Sequence, residues 1–121
     1  MRKLDLKTQN EISTLVGFLS ALDEEVISDD DYLLIKSNNL NIEGDLRTIS
    51  DAILKPWFLE YKPANRDKVI QSIDFIVSGK VNVVDVIFSE VNFTFEYEIK
   101  DKSLFLKRVK HLLEEYARCS G

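Results

Sequence analysis

The sequence predicts an α+β fold, in which about four helices pack on one face of a mostly antiparallel sheet with a long C-terminal hairpin. Two observations predict this class. Apolar residues recur at helical spacing in several stretches, and apolar and polar residues alternate along Val91–Lys100. The 121 residues contain no repeat, low-complexity tract or linker. We therefore expect residues 1–121 to form a single α+β domain.

The first predicted helix covers Gln9–Leu22. Thr8 and Glu11 have the spacing of a capping box, in which the two side chains satisfy free backbone N–H groups at a helix start. Apolar residues then follow at the i, i+3, i+4 spacing of a buried helical stripe: Ile12, Leu15, Val16, Leu19 and Leu22.

Two short β elements and a short helix are expected next. Tyr32–Lys36 and Leu40–Glu43 flank a turn-forming Ser-Asn-Asn sequence and predict a small hairpin. Asp45 is a suitable cap for the short helix, which should end near Lys55 because the residue before a proline is disfavoured in the α region. Trp57–Tyr61 lies between two prolines and is expected to be extended, as an edge strand.

The C-terminal half predicts a helix, the long hairpin and a last helix. Asn65 and Gly79 bound the first of these two predicted helices, and Asp101 or Ser103 caps the second. Between them, Val81–Phe88 is rich in β-branched residues and leads through a short turn into the alternating Val91–Lys100. The two stripes are Val69, Ile70, Ile73, Ile76 and Val77, and Phe105, Val109, Leu112, Leu113 and Tyr116.

Charge is distributed unevenly along the chain. The net charge is −5, and residues 1–60 carry twelve Asp/Glu against six Lys/Arg, whereas residues 61–121 carry nine against ten. Six of the carboxylates fall within the nine residues of Asp23–Asp31, which we expect to form a loop or a frayed helix end. An acidic domain repels nucleic-acid phosphates and attracts a basic protein, so we expect a protein partner and no nucleic acid.

The residue types that carry chemistry are sparse and isolated. His111 has no neighbours at metal-ligand spacing, and Asp29–Asp31 lacks the glycine of a helix–loop–helix calcium site. Glu96 and Glu98 share one side of a predicted strand, where they are expected to be its polar face. We therefore predict no catalytic residue, no metal and no cofactor.

The sequence also contains no apolar run long enough to span a membrane and no signal-peptide pattern at Met1–Asp5. With one cysteine, Cys119, no internal disulfide can form. These features favour a cytoplasmic protein with no membrane association.

In size, charge and lack of catalytic motifs, the chain resembles the small acidic α+β immunity proteins with which bacteria neutralise their own secreted toxins. The resemblance implies a non-catalytic inhibitor that docks on a basic, nuclease-like toxin. The carboxylates that would contact Arg and Lys of the toxin are Asp23, Glu24, Glu25, Asp29, Asp30 and Asp31.

Other surfaces leave alternative functions open. Trp57 and Tyr61 belong to the densest aromatic group, which either fills the core or forms an additional partner contact. A small-molecule-binding domain or modest enzyme would need a pocket between the long hairpin and the helices, lined or flanked by Phe93, Phe95, Glu96 and Tyr97. An oligomeric adaptor would pair through a sheet edge or through the aromatic group.

Overall fold

Helices account for nearly all the regular structure in residues 5–79 and 83–119, which are the residues that the computed structural model describes. A 3₁₀ turn, Ser20–Leu22, extends the first helix, and a π turn, Ser50–Leu54, joins the third helix to the fourth. The helices are α1 (Leu6–Leu19), α2 (Asp29–Lys36), α3 (Glu43–Ile49), α4 (Lys55–Leu59), α5 (Pro63–Ser78), α6 (Val84–Glu90) and α7 (Lys102–Cys119).

The predicted α+β fold is wrong. No strand occurs in the described ranges, where β pairing is limited to one isolated antiparallel bridge between Asp23 and Phe93. The core instead lies between helices, because α5 packs against both α1 and α7. Its fully buried side chains come from all three, and they include Leu15, Phe18 and Leu19 of α1, Ile73 of α5, and Leu106, Val109 and Leu113 of α7.

The three long helices confirm the predictions from apolar spacing, although their ends differ. The first helix begins at Leu6 rather than Gln9, and its cap is Asp5, whose Oδ1 accepts a hydrogen bond of 2.7 Å from the Thr8 N–H. For the last helix, Asp101 is the cap, since its Oδ1 accepts from the Leu104 N–H at 3.0 Å. Apolar stripes that repeat over several turns thus predicted element type better than element boundaries.

The small hairpin predicted from Tyr32–Lys36 and Leu40–Glu43 is wrong. Tyr32–Lys36 is the body of α2, and Glu43 begins α3. Within α2, Ile35 is fully buried while Leu33 is 62% exposed, so one side chain of the apolar run enters the core. An apolar run of four residues has no decisive period, and the capped acidic turn before it favours a helix.

The long C-terminal hairpin is also wrong. Its predicted first strand, Val81–Phe88, begins in residues 80–82, which lie outside the described residues, and continues as α6. The apolar side chains of this region are buried at helical spacing, at Val84, Ile87 and Val91. This burial on one side of a helix outweighs the β propensity of the individual valines and isoleucines.

The chain does not leave the α conformation before Pro56, contrary to the sequence prediction. Lys55 has φ −60° and ψ −53°, and its N–H donates to the carbonyl of Ser50, five residues earlier. Pro56 then occupies the first turn of α4, where the N–H that it lacks would have no partner in the helix. The π turn therefore lets one helical run continue from Glu43 to Leu59 across a proline.

The extended segment predicted at Trp57–Tyr61 is likewise wrong, since it lies largely within α4. The rings of Phe58 and Tyr61 each meet Phe18 edge to face, with centroids 6.0 Å apart. Arg66 of α5 caps this short helix, because its guanidinium donates to the carbonyls of Phe58 (3.3 Å) and Leu59 (2.6 Å). Aromatic packing and a cationic cap thus stabilise a helix of five residues.

Segment 91–101, which joins α6 to α7, has irregular structure, and the Asn41 side chain makes two hydrogen bonds to its backbone. The Asn41 amide donates to the Glu98 carbonyl at 2.8 Å, and its oxygen accepts from the Lys100 N–H at 2.9 Å. Arg108 of α7 donates to the backbone carbonyl of Asn41 at 3.0 Å. Asn41 therefore ties the connection between α2 and α3 to segment 91–101 and, through Arg108, to α7.

Candidate functional site: an acidic surface at the second helix

The acidic stretch Asp23–Asp31 is more ordered than the sequence indicated. Ser28 caps α2, with its Oγ accepting from the Asp31 N–H at 3.1 Å. Asp29, Asp30 and Asp31 then form the first turn of the helix. Carboxylates are favourable there because the helix N-terminus carries a partial positive charge, which offsets their mutual repulsion.

Asp23 has a structural position that separates it from the other five carboxylates. It is half-buried, its Oδ1 accepts from the Glu25 N–H at 2.9 Å, and its Oδ2 accepts from the Asn92 N–H at 3.1 Å. The Glu24 N–H also donates to the Asn92 carbonyl at 2.9 Å. The Asp23 carboxylate thus holds segment 91–101 against the end of the 3₁₀ turn.

The remaining carboxylates face solvent. Asp31 is half-buried, and the other four are exposed. Within the described part of the chain, none of the five has a Lys or Arg nitrogen within 4.0 Å. The five are Glu24, Glu25, Asp29, Asp30 and Asp31. Their negative charge is therefore available to a partner rather than neutralised by these parts of the chain.

Exposed apolar side chains lie within this stretch and directly after it. Val26 is 51% exposed, Tyr32 41% and Leu33 62%, which makes them three of the eight large exposed apolar side chains of the described residues. Apolar side chains that cluster on a surface commonly mark a contact site, whereas scattered ones do not. We call this set of eight side chains the acidic–apolar surface: Glu24, Glu25, Val26, Asp29, Asp30, Asp31, Tyr32 and Leu33.

The far end of α2 joins this surface to segment 91–101. Lys36 Nζ lies 3.4 Å from Glu96 Oε2 and 5.5 Å from the centroid of the Tyr32 ring. Both charged groups of this ion pair are accessible, with the Lys36 side chain 33% and the Glu96 side chain 54% exposed. The position of Glu96 depends on a contact between distant parts of the chain, so sequence spacing alone could not have placed it beside α2.

The two aromatic candidates, Trp57 and Tyr61, have different surroundings. Tyr61 is half-buried and packs on Phe18 in the core. Trp57 is also half-buried, and its Nε1 is enclosed with no hydrogen-bond partner among the residues that the structure describes. Core packing thus accounts for Tyr61, and nothing in the described contacts joins either ring to the acidic–apolar surface.

A concave feature lies beside segment 91–101. The aromatic groove, as we call it, has a volume of about 320 Å³. It is lined by Asp85, Phe88, Ser89, Phe93, Phe95, Glu98, Ile99 and Lys102. Two of the four residues predicted to line a pocket, Phe93 and Phe95, do so, whereas Tyr97 is 52% exposed and Glu96 contacts Lys36. Sequence reasoning missed Asp85 and Phe88 because it placed residues 81–88 in a strand. It missed Lys102 because this residue meets Asp85 across a sequence separation of 17 positions.

The other chemical groups remain dispersed. His111 is exposed on α7, and Cys119 is an exposed free thiol at the end of the same helix. Across residues 5–79 and 83–119, no three His, Cys, Asp or Glu side chains are grouped so that they could hold a metal ion. The helices within these ranges also include none with the length and apolar character needed to cross a membrane.

Comparison with known proteins gave no match to a family model, to a curated protein or to a solved structure.

Proposed function

We propose that the protein is a non-catalytic binding protein, which docks on a basic protein through the acidic–apolar surface. The observation that carries this proposal is the placing of Val26, Tyr32 and Leu33, all exposed, among five carboxylates that have no ion pair within the described residues. Apolar and aromatic side chains supply binding energy at an interface, and surrounding charges guide the encounter and the choice of partner.

The finer proposal is an immunity-type inhibitor that acts in the bacterial cytoplasm on a basic toxin. Its support is the sign and position of the charge, because a nuclease must present a basic surface to nucleic-acid phosphates. A protein that covers such a surface needs clustered carboxylates, which Glu24, Glu25 and the first turn of α2 provide. Exposed apolar side chains beside them would remain in contact at salt concentrations that screen the charges.

The test begins with the product of the adjacent gene, expressed with and without this protein. We expect the neighbouring product alone to arrest growth and co-expression to restore it. Purified proteins then give association and dissociation rates at low and at high salt. An adjacent product that neither arrests growth nor binds would contradict the inhibitor proposal.

Charge variants separate docking from a general effect of net charge. The docking variant combines Glu24→Gln, Glu25→Gln and Asp30→Asn, and the matched control combines Glu11→Gln, Glu60→Gln and Asp67→Asn. Both remove three negative charges, but the control positions lie on α1, after α4 and on α5. We expect the docking variant to associate about tenfold more slowly and to lose most of its salt dependence.

Leu33→Ser tests the apolar part of the same surface. Leu33 is 62% exposed, so this change should leave the free energy of unfolding within about 0.5 kcal/mol of the wild type. Dissociation should become about tenfold faster, because the lost contact is made only in the complex. Equal rates for the wild type, Leu33→Ser and the docking variant would show that the partner binds elsewhere.

A further inference from the structure

Three aromatic rings line the aromatic groove, a lining that is typical of small-molecule sites. Phe88 of α6 and Phe93 and Phe95 of segment 91–101 line it. The Phe93 and Phe95 rings are stacked with centroids 4.7 Å apart, and the Phe88 ring lies 5.3 Å from that of Phe93. All three are only half-buried, so parts of their rings remain accessible from the groove. Its volume of about 320 Å³ is at the lower end for small-molecule sites.

Charged groups at the groove favour a positive ligand. Asp85 and Glu98 supply two carboxylates, against the single ammonium of Lys102. Glu98 has no ion pair within 4.0 Å in the described ranges. Aromatic ring faces carry negative potential and attract cations, so the rings and the carboxylates act in the same direction.

Lys102 shows where such a cation fits. Its Nζ lies 2.9 Å from Asp85 Oδ1 and 5.7 Å from the centroid of the Phe88 ring. An ammonium group is thus already held between a carboxylate and an aromatic ring at the groove. The Lys102 side chain is 34% exposed and the Asp85 side chain 73% exposed, so the pair is weak enough for an external cation to compete with it.

We propose that the aromatic groove binds a small organic cation with an apolar body, of the aryl- or alkylammonium class. The apolar body lies against Phe88, Phe93 and Phe95, and the charged nitrogen is placed near Glu98 and Asp85. Lys102 acts as an internal competitor that limits affinity. This site is separate from the acidic–apolar surface, and the proposal is independent of docking on a basic protein.

Three probes that share a phenylmethyl group test the charge preference. They are benzyltrimethylammonium, benzyl alcohol and phenylacetate, each titrated into ¹⁵N-labelled protein while amide shifts of Phe88, Phe93 and Phe95 are followed by NMR. We expect saturable shifts with the cation at millimolar concentrations, affinity at least about fivefold lower for the alcohol, and no saturation with the anion. Equal affinity for the cation and the alcohol, or no shift at these three amides, would overturn the proposal.

Two surface variants test the assigned groups without disturbing the core. Glu98→Gln should weaken binding of benzyltrimethylammonium by about two- to fivefold, and Lys102→Met should strengthen it by a similar factor. The matched controls, Glu60→Gln and Lys68→Met, make the same chemical changes at exposed positions outside the groove and should leave affinity unchanged. Weaker binding in Lys102→Met would show that Lys102 is a ligand group rather than a competitor, and would overturn the proposal.

Discussion

The Tyr116 hydroxyl of α7 donates a hydrogen bond of 2.5 Å to Asp51 Oδ1 in the π turn. The Ser50 hydroxyl oxygen lies 2.9 Å from the same phenol oxygen. A phenol has one hydrogen, which is committed to Asp51, so the Ser50 hydroxyl supplies the hydrogen of the second bond. Ser50 is fully buried and Tyr116 is 5% exposed. These bonds therefore join the π turn to α7, and the one between Ser50 and Tyr116 has little access to water.

Tyr116→Phe should destabilise the protein, because it leaves the buried Ser50 hydroxyl without its partner on α7. We expect the free energy of unfolding to fall by about 1–2 kcal/mol, the usual effect of losing a buried hydrogen bond. Urea denaturation followed by circular dichroism measures the change. The control is Tyr97→Phe, at a residue that is 52% exposed, for which we expect no change. Equal stabilities for all three proteins would contradict a role for these bonds.

The same tyrosine predicts a loss of stability at alkaline pH. Burial raises the pKa of Tyr116 above its ordinary value of 10.0, and the hydrogen bond to Asp51 raises this pKa further. The unfolded chain then releases this proton at a lower pH than the folded chain does. The stability that the neutral Tyr116 phenol gives to the folded protein is therefore fully present below pH 10.0, and it is lost as the pH rises above that value.

Unfolding of the wild type and of Tyr116→Phe should be compared at about pH 9 and about pH 11. The variant has no phenol to ionise at this position, so the difference in the free energy of unfolding between the two proteins should shrink at the higher pH. A difference that stays constant across this range would mean that Tyr116 ionises equally readily in both states.

Asn41→Ala should release segment 91–101 from the connection between α2 and α3. The change removes the two bonds that tie the Asn41 side chain to this segment, one to the Glu98 carbonyl and one from the Lys100 N–H. Because these groups are partly exposed, water replaces some of the lost bonding, and we expect a cost of about 1–2 kcal/mol in urea denaturation. Asn65→Ala, at an exposed position of α5, is the control and should cost less than about 0.5 kcal/mol.

Truncation of the Asp23 side chain should destabilise the protein, whereas truncation of the Glu24 side chain should not. Asp23→Ala removes the acceptor of two backbone N–H groups, of Glu25 and Asn92, and should lower the free energy of unfolding by about 1–3 kcal/mol. The Glu24 side chain is exposed, so Glu24→Ala should change stability by less than about 0.5 kcal/mol. Thermal and urea unfolding of the two variants measure the contrast. Equal losses would mean that these carboxylates act only through net charge.

The sequence predicted the long helices because their apolar residues repeat over three or more turns, as along α5 and α7. The prediction of helices failed where the apolar runs were short. In α2 the deciding groups are Ser28, whose hydroxyl caps the helix, and the aspartates after it, which interact favourably with the helix N-terminus. The sequence contains these signals, but the Ser-Asn-Asn turn between two short apolar runs favours a hairpin.

Contacts between distant residues explain the failures at the candidate sites. The exposed carboxylates of α2 were identified from composition, but the role of Asp23 depends on Asn92, which lies 69 positions later. The aromatic groove depends on α6 being helical and on Asn41 fixing segment 91–101. No local pattern around Phe93 or Phe95 contains this information, since Asn41 lies more than fifty residues earlier.

The attachment of segment 91–101 also bears on how the molecule opens. In the described residues its polar ties to the rest of the molecule include side-chain bonds from Asn41 and Asp23 and one isolated bridge, rather than a continuous ladder of strand hydrogen bonds. Such a segment can detach while α1, α5 and α7 stay packed, so its amide protons should exchange through local opening, ahead of those in the helical core. A ligand in the aromatic groove would contact this segment and would therefore first slow amide exchange along it. Only at higher occupancy would the ligand also slow the exchange that requires global unfolding.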